Sequence, residues 1–303
     1  MMIGKLNDSD WDLLLDRIEA KKCTPFIGAG VFEGLIPSGK HIAGRWAKEY
    51  RYPIKSYEDD LVHVAQYLSV HKDPIFVKDQ ICKELKVSAN EVDFDVPDEP
   101  HGVLASMPFP VYITTNYNDL LLQALRNKGK KPSIEICPWP DNLLTYGKFA
   151  PKNNEYEVVD PQINEPIVYY AHGFEEVSES IVITEDDHLD FLVNMSRDDR
   201  KIPSHIQTAI NANTLLFIGY RPMDWSFRSI LRGLVNFKDS ATRKINVTIQ
   251  FPPEPEDDED LEPHEAQRYL EEYFKRKDMK AYWGTTKEFV TELRQRWDER
   301  THG

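Results

Sequence analysis

The sequence predicts an α/β fold in which a doubly wound, mostly parallel sheet is covered by helices on both faces. Short segments that are apolar at every position alternate with longer segments whose apolar residues recur every three or four positions. Strands that are apolar throughout are typical of sheets buried on both faces, and their alternation with helices is typical of parallel strand order. The chain has 303 residues, which allows one large domain.

The predicted strands are short and lie along the whole chain. They cover residues 25–27, 111–114, 133–137, 167–170, 181–184, 214–219, 244–249 and 279–283. The segment 214–219 is the clearest buried strand, and the helical pattern after it carries Phe227, Ile230 and Leu231 on one face. A helical pattern also precedes the first strand, and residues of about 263–300 are expected to form C-terminal helices around the last strand.

One block of the chain interrupts this alternation. Between the first and second predicted strands, helical patterns follow one another near residues 41–50, 61–68 and 75–85. We interpret residues of about 41–100 as a helical insertion within a single domain that covers residues 1–303.

Composition excludes several classes of function. The formal net charge is −14, which disfavours direct binding to a nucleic-acid backbone because such binding needs a positive surface. No apolar run approaches the ~20 residues of a membrane-spanning helix. The first residues lack the basic and apolar stretches of a signal peptide, so we expect a cytoplasmic protein that contacts no membrane.

The cysteines argue against a structural metal site. Cys23, Cys82 and Cys137 are far apart and show no CxxC spacing, so this chain alone cannot build a four-cysteine zinc site. Such a sparse, odd set also fits a reducing compartment better than a disulfide framework. We therefore expect no zinc and no other metal.

Four predicted strands end in glycine or polar residues. The segments are Gly28-Ala29-Gly30, Thr114-Thr115-Asn116-Tyr117, Ala171-His172-Gly173, and Gly219-Tyr220-Arg221 followed by Asp224. The carboxyl ends of parallel strands meet at one edge of the sheet, where doubly wound folds bind their ligands. The sequence therefore predicts that all four segments converge on one crevice.

The glycines of the first segment have two explanations. Gly28 and Gly30 would let backbone N–H groups approach a pyrophosphate, since no side chain stands in the way. A strand-to-loop turn requires glycine as well, so this segment alone does not decide between the two. A GxGxxG fingerprint and a Walker A lysine motif are both absent from the sequence.

His172 and Asn116 are the candidate chemical pair. An imidazole titrates near neutral pH, so His172 suits a general base at a strand end. Its alternative role is a hydrogen bond that only holds a loop. The amide of Asn116 both donates and accepts, so it can orient a water or a ribose hydroxyl, although asparagine also caps turns and helices.

Taken together and in this order, the four segments resemble the sirtuin superfamily, and more closely the sirtuin-like domains of bacterial anti-phage defence systems. The matching segments are residues 26–31 (FIGAGV), 113–117 (ITTNY), 171–173 (AHG) and 216–220 (LFIGY), with Asp224 and Phe227. Tyr282-Trp283-Gly284 before the final helix is also similar to members of this group. The resemblance covers residues of about 20–295.

The resemblance implies a Rossmann-like domain that binds NAD+, as a substrate, in the strand-end crevice. By position, Gly28, Ala29 and Gly30 would face the phosphates. Asn116 would contact the nicotinamide-side ribose or position a water, and His172 would act as the base.

The same resemblance places further residues against the cofactor. Gly219 and Asp224 would lie near the adenosine half, although Asp224 has the alternative role of fixing its own loop. Thr115 and Tyr220 belong to the same motifs and complete the predicted cofactor-binding set.

The sequence departs from the family pattern at two places. Relatives usually carry an acid directly after the NY pair, whereas Asn118 stands here and the acid follows as Asp119. If that acid orients the loop, its role is shifted by one residue or lost. Relatives also often have a small hydroxyl residue after GAGV, where this chain has Phe32, so the shape of the pocket is expected to differ.

The implied activity is hydrolysis of NAD+ to nicotinamide and ADP-ribose, as an effector of anti-phage defence by NAD+ depletion. The alternatives are protein deacylation or ADP-ribosyl transfer, and a nucleotide sensor without catalysis. Deacetylating sirtuins usually carry a four-cysteine zinc ribbon, which this chain cannot form, and this favours hydrolysis.

Unrestrained NAD+ loss would kill the cell, so the activity is expected to be gated. The family implies a homo-oligomer, or a partner such as a HerA-type ATPase or a short Argonaute. The candidate gates within the chain are residues 41–86, 138–166 and 252–263.

Overall fold

In a computed structural model, seven parallel strands form one sheet. The structure describes residues 5–32, 34–86, 92–140, 160–197, 202–222, 224–235, 245–251 and 263–302. The strands are β1 (Cys23–Ile27), β2 (Val111–Thr114), β3 (Ser133–Ile136), β4 (Ile167–Tyr170), β5 (Thr214–Ile218), β6 (Asn246–Gln250) and β7 (Met279–Trp283). Their order is β3-β4-β2-β1-β5-β6-β7, and every pair of neighbours is parallel. The predicted doubly wound, Rossmann-like sheet is therefore confirmed.

Helices fill the connections between the strands. They are α1 (Asp8–Glu19), α2 (Gly39–Glu49), α3 (Leu61–His71), α4 (Pro74–Glu84), α5 (Pro100–Ser106), α6 (Leu120–Asn127), α7 (Glu185–Arg197), α8 (Ser204–Asn211), α9 (Trp225–Gly233), α10 (Pro263–Lys275) and α11 (Thr286–His302). Among the helices that the structure describes, none combines the length and the apolarity needed to cross a bilayer.

The strand order reverses at β1. From β1 the chain first builds one side of the sheet, where the strands lie in the order β2, β4, β3, and then adds β5, β6 and β7 on the other side. Ile27 lies beside Thr114 and Ile218, and Thr114 lies beside Tyr170, so four neighbouring strands end at one level. Such a reversal is where doubly wound sheets open a ligand crevice. The four predicted strand-end segments leave these four adjacent strands.

Separate apolar clusters cover the two faces of the sheet. On one face, α1, α5, α6 and α11 bury residues such as Trp11, which stacks on Phe289 at 5.3 Å between ring centroids. On the other face, α7, α8, α9 and α10 bury residues such as Phe217 and Phe227, whose rings meet edge to face at 5.6 Å. Burial of each large apolar side chain contributes roughly 1.5–3 kcal/mol, so both layers stabilise the sheet.

The helices α2, α3 and α4, between β1 and β2, pack around a third apolar cluster. It joins Ile42, Trp46 and Leu68 of α2 and α3 to Ile181 and Ile183. The prediction of a strand over residues 181–184 is wrong. This segment is buried against the helices rather than paired in the sheet, so burial explains its apolar character.

Two of the predicted gates lie largely outside the described residues. These are 141–159 of the segment 138–166, and 252–262 of the acidic segment. The helix α5 was not predicted separately, since its seven residues give too short a pattern to read.

Candidate active site

The loops after β1 and β5 touch backbone to backbone. The N–H of Gly28 donates to the carbonyl of Ile218 at 2.8 Å, and the N–H of Gly30 donates to that of Gly219 at 2.9 Å. A Cβ on Gly28 would lie 2.7 Å from the Gly219 carbonyl oxygen. The glycines are thus required by this close approach, and their N–H groups are engaged within the protein. Ala29, between them, is exposed at the sheet edge.

Thr115 and Tyr220 join the loops after β2 and β5. The Thr115 hydroxyl donates to the Tyr220 hydroxyl at 3.1 Å, and the Thr115 N–H donates to the carbonyl of Ile27 at 3.1 Å. The Tyr220 ring is buried against Phe227 at 5.5 Å, and it lies directly under Gly28. Burial raises the pKa of Tyr220, so its phenol stays protonated. In the structure, these two side chains hold the crevice floor together.

Asn116 is buried and fixed from two sides. Its backbone N–H donates to the Thr114 hydroxyl at 3.0 Å, and its side-chain Nδ2 donates to the Gly28 carbonyl at 3.2 Å. It does not cap the following helix, which begins at Leu120 with Asp119 as its N-cap residue. The helix-capping alternative for Asn116 is therefore wrong, and its amide is oriented by the glycine loop instead.

His172 follows β4 and is completely buried. Its carbonyl accepts the N–H of Val182 at 2.9 Å. The ring lies edge to face against His188, at 5.4 Å, and against Phe191, at 4.9 Å. Gly173 has φ +95°, and a Cβ there would lie 2.3 Å from the carbonyl oxygen of Ser180, so the loop after the histidine needs glycine.

A buried serine fixes the tautomer of His172. Ser229 Oγ lies 3.1 Å from Nε2 of His172 and donates its own proton to the carbonyl of Ser226 at 3.0 Å. When the hydroxyl donates to Ser226, its oxygen accepts from Nε2, and this assignment places the proton on Nε2 and the lone pair on Nδ1. Nδ1 has no partner among the residues that the structure describes.

The surroundings keep His172 neutral. Burial holds the pKa of this imidazole well below its usual range, and the neighbouring His188 lowers it further. Near pH 7 the ring is therefore uncharged and keeps a lone pair on one ring nitrogen. A neutral imidazole with a lone pair is compatible both with the predicted general base and with a hydrogen bond that holds the loop.

Asp224 fixes its own loop. Its carboxylate accepts the backbone N–H of Arg221 at 3.2 Å, and Gly219 at the start of this loop has φ +77°. Desolvation by the surrounding protein raises the pKa of Asp224 although the residue is exposed. The loop-fixing alternative is thus visible in the structure, and the exposed carboxylate is also accessible to a ligand.

The two departures from the family pattern have different outcomes. Asn118 is buried and lies within hydrogen-bond reach of the Leu85 carbonyl and the Leu120 N–H, each at 3.4 Å. Asp119 instead accepts a hydrogen bond from Gln123, so Asn118 takes the loop-orienting position. Phe32 is buried and stacks on His101 at 5.2 Å, which directs it into the core.

Ser229, His188 and Phe191 are site residues that the sequence does not predict. Ser229 is a hydroxyl on the otherwise apolar face of α9, and this was a readable signal. His188 lies one turn into a helix that follows the AHG segment, but no sequence spacing shows that its ring reaches His172. Phe191 looks like any other apolar residue of a helix.

Elsewhere in the described structure, neither a metal site nor a second ligand site stands out. Within the described ranges, no group of three or more His, Cys, Asp or Glu side chains could hold a metal. A surface groove lined by Lys5, Asp98 and α11 shares no residue with the strand ends, and its charges pair with one another, as in Lys5 with Glu292 at 3.8 Å.

Comparison with known proteins identifies the family. A family model described as SIR2-like domain matches residues 110–276, which is more than half of the chain. The chain belongs to the SIR2-like domain family. The matched SIR2-like region contains Asn116, His172, Gly219 and Asp224, while the glycines after β1 precede it.

Three similar relatives of this SIR2-like chain carry the name NAD(+) hydrolase ThsA. The protein of Cytobacillus dafuensis is 27% identical over 212 residues, covering 68% of this chain and 36% of the relative. That of Enterococcus faecium is 28% identical over 227 residues, covering 71% and 40%. That of Acinetobacter baumannii is 24% identical over 247 residues, covering 78% and 45%. The chain thus spans less than half of the length of these relatives.

Proposed function

We propose that this SIR2-like protein hydrolyses NAD+ to nicotinamide and ADP-ribose. The observation that carries the proposal is the buried, neutral His172, whose Nδ1 lone pair is unpartnered within the described structure. It follows β4, whose neighbour β2 carries the Asn116 loop and pairs with β1 at the reversal point of the sheet. The relatives named NAD(+) hydrolase support NAD+ as the substrate.

The chemistry needs few groups. The bond between the ribose carbon and the nicotinamide nitrogen breaks with its electron pair on the nitrogen, so the cationic leaving group departs as neutral nicotinamide. The developing oxocarbenium ion, for which glycosidases offer the analogy, is attacked by water. The water proton goes to Nδ1 of His172, while Asn116 orients the water or a ribose hydroxyl.

Substrate contacts are assigned to the loops after β1, β2 and β5. The proposed contacts are Gly28, Ala29, Gly30, Thr115, Gly219, Tyr220 and Asp224. Ala29 and Asp224 are the exposed members, and the others support the floor of the crevice. Since the N–H groups of Gly28 and Gly30 donate within the protein, the glycines contribute by admitting the pyrophosphate close to the backbone.

The alternative functions would leave NAD+ in different final states. Deacylation or ADP-ribosyl transfer would pass the ADP-ribosyl group to an acyl-lysine or another acceptor instead of water. A sensor without catalysis would bind NAD+ unchanged, but it would not need a neutral base with a free lone pair. The relatives' name and the scattered cysteines favour hydrolysis.

The biological role belongs to the same proposal. We assign the protein to anti-phage defence by NAD+ depletion in the cytoplasm, as a homo-oligomer or with a HerA-type ATPase or a short Argonaute. Residues 1–303 would form one NAD+-binding domain, with α2, α3 and α4 as its helical insertion and α10 and α11 as its C-terminal helices.

Product analysis tests the activity. The purified chain is incubated with NAD+, alone and with its neighbouring gene products, and nicotinamide and ADP-ribose are measured by chromatography. Equimolar release of both without an acceptor is the expected result. Nicotinamide release that depends on an acylated peptide would establish deacylation, and ADP-ribose attached to protein would establish transfer. If NAD+ binds but stays intact under all conditions, the result would support the function of a sensor without catalysis.

A further inference from the structure

Ser229 places a hydroxyl in the buried layer between α9 and the proposed base. The side chain is completely buried, and its neighbours Phe227 and Ile230 in the same helix are buried as well. A hydroxyl in such a layer is unfavourable unless it makes hydrogen bonds. Ser229 Oγ makes two contacts, to Nε2 of His172 at 3.1 Å and to the carbonyl oxygen of Ser226 at 3.0 Å. The serine thus links α9 to the loop that follows β4.

The carbonyl of Ser226 restricts the direction of both contacts. A carbonyl oxygen only accepts, so the hydrogen bond between Ser226 and Ser229 uses the hydroxyl proton of the serine. The Ser229 oxygen then has only lone pairs for its second contact, and Nε2 of His172 has to be the donor there. Both hydrogen bonds exist together only in the tautomer that carries its proton on Nε2.

The second ring nitrogen favours the same tautomer. Nδ1 of His172 is buried and has no hydrogen-bond partner among the described residues. In the opposite tautomer Nδ1 would be a buried N–H donor without an acceptor. Such donors are rarer in folded proteins than acceptors with an unused lone pair. The nitrogen that the protein leaves free is therefore the one with the lone pair, which is the group that a base uses.

The helix α9 carries the Ser229 hydroxyl on a fixed support. It begins after Asp224, whose carboxylate accepts the backbone N–H of Arg221 at 3.2 Å. On its first turn, the Phe227 ring packs edge to face against Phe217 of β5 at 5.6 Å. Because the start of the helix is anchored to its own loop and to the sheet, the serine acts from a rigid position.

We propose that Ser229 is a positioning residue for NAD+ hydrolysis, because its oxygen accepts the Nε2 proton of His172 and so keeps the lone pair on Nδ1. The inference rests on the proposed function of His172 as the base. In that reaction the water oxygen bonds to the ribose carbon and the water proton goes to Nδ1, while the Nε2 proton stays bonded to Ser229. The hydrogen bond becomes charge-assisted when the ring is protonated, so it stabilises the imidazolium as well.

Nitrogen-15 NMR of the labelled imidazoles in the full chain tests the tautomer directly. The chemical shift of a ring nitrogen depends on whether it carries a proton, and a spectrum of His172→Gln assigns the signals of His172. We expect the wild-type ring to carry its proton on Nε2. In Ser229→Ala the shifts of the two nitrogens should move toward the average of the two tautomers, because the acceptor that distinguishes the nitrogens is gone.

Kinetics of nicotinamide release provide the second readout. We expect Ser229→Ala to lower kcat about tenfold and to leave KM within about twofold, because the base acts in the transition state. Ser229→Thr keeps a hydroxyl and should recover most of the lost kcat. The matched control is Ser106→Ala, which removes a hydroxyl that donates to the carbonyl three residues earlier in α5, outside the candidate site. It should leave both kcat and the His172 shifts unchanged.

A wild-type His172 with its proton on Nδ1 would overturn the inference, and this measurement needs no variant of Ser229 that folds. Full kcat in folded Ser229→Ala would overturn it as well, since the hydrogen bond would then only hold the loop after β4. Absence of nicotinamide release from the wild-type protein under all conditions would instead overturn the proposed function. The tautomer is measured without substrate, so the two failures are distinguishable.

Discussion

His172 combines two properties that rarely coincide in one side chain: complete burial and a free lone pair. Ser229 holds the proton on Nε2, and the protein keeps the ring uncharged. Asn116 stands at the next strand end with its amide fixed by Gly28. Single substitutions can therefore separate chemistry from folding at this site.

His172→Ala and Asn116→Ala are each expected to lower kcat for nicotinamide release. Loss of a general base typically costs about 10²–10⁴-fold, and loss of the orienting amide should act on the same step. Matched controls are His71→Ala and Asn127→Ala, which remove the same groups from exposed positions. Full turnover by either folded site variant would remove that residue from the mechanism.

Gly219→Ala should destabilise the protein by about 3 kcal/mol. The φ of +77° costs an L side chain about 1 kcal/mol, and the new Cβ would meet the Gly28 carbonyl oxygen and the Val31 nitrogen, both at 2.7 Å, adding overpacking of similar or larger size.

Gly129→Ala is the matched control for this substitution. Gly129 has φ +75°, but among the described residues, its two chain neighbours aside, no atom lies within 4 Å of the position that its new Cβ would take. Only the backbone cost of about 1 kcal/mol is expected. Urea denaturation measures both variants, and equal losses would show that the close approach of the two loops is unimportant.

At the level of elements, the buried pair of Lys78 and Asp187 ties α4 to α7. The Lys78 ammonium also lies 5.2 Å from the ring centre of Trp139, whose indole N–H donates to the Ser180 carbonyl at 2.7 Å. These contacts surround the loop between His172 and α7. The helical insertion is thereby linked mechanically to the proposed base.

Lys78→Met is expected to cost about 3 kcal/mol of stability, because it leaves a largely buried carboxylate without its cation. The control Lys40→Met removes a surface pair with Asp59 and should leave the free energy of unfolding essentially unchanged. Denaturant titrations of the two variants decide the matter. A neutral effect of Lys78→Met would show that the two helices are not coupled through this pair.

The elements were more predictable than their contacts. The bounds of β2, β4 and β7 match the prediction. The first two are short runs without a charged residue, whereas β7 was predicted although Lys280 lies within it. Residues 181–184 show the pattern of β2 and β4, yet helices rather than strands bury them, and local periodicity cannot tell these cases apart. Likewise, His172 and Asn116 followed from strand ends and family likeness, whereas Ser229 and His188 became visible only through contacts between distant segments.

At the scale of the whole molecule, we expect the proposed activity to be regulated, because the cell needs its substrate. The helices α2, α3 and α4 lie between β1 and β2 in sequence and pack beside the loop that follows His172. Of the described segments, these helices are best placed to pass a structural change from a subunit contact to the candidate site. Lids and neighbouring subunits commonly control access in this way.

We expect low turnover by the isolated chain and higher turnover on assembly. The measurement compares nicotinamide release at equal active-site concentration for a dilute monomer, a concentrated sample and the complex with neighbouring gene products, with mass photometry reporting the oligomeric state. His172→Ala in the same complex controls for a contaminating hydrolase. Full activity in the dilute monomer, with no gain from partners, would contradict gating by assembly.

The hydrogen bonds of the site also determine at what stage of folding and synthesis the site can form. Asn116 bonds to Gly28, which lies 88 positions earlier in the chain. Thr115 bonds to Tyr220, 105 positions later, and His172 bonds to Ser229, 57 positions later. Closing such long loops is slow compared with forming helices, so these contacts require most of the sheet to be in place. While the chain emerges from the ribosome, the base is already synthesised but the serine that sets its tautomer is not. A nascent or truncated chain would therefore lack these contacts, and the candidate site would form only after synthesis has passed Ser229.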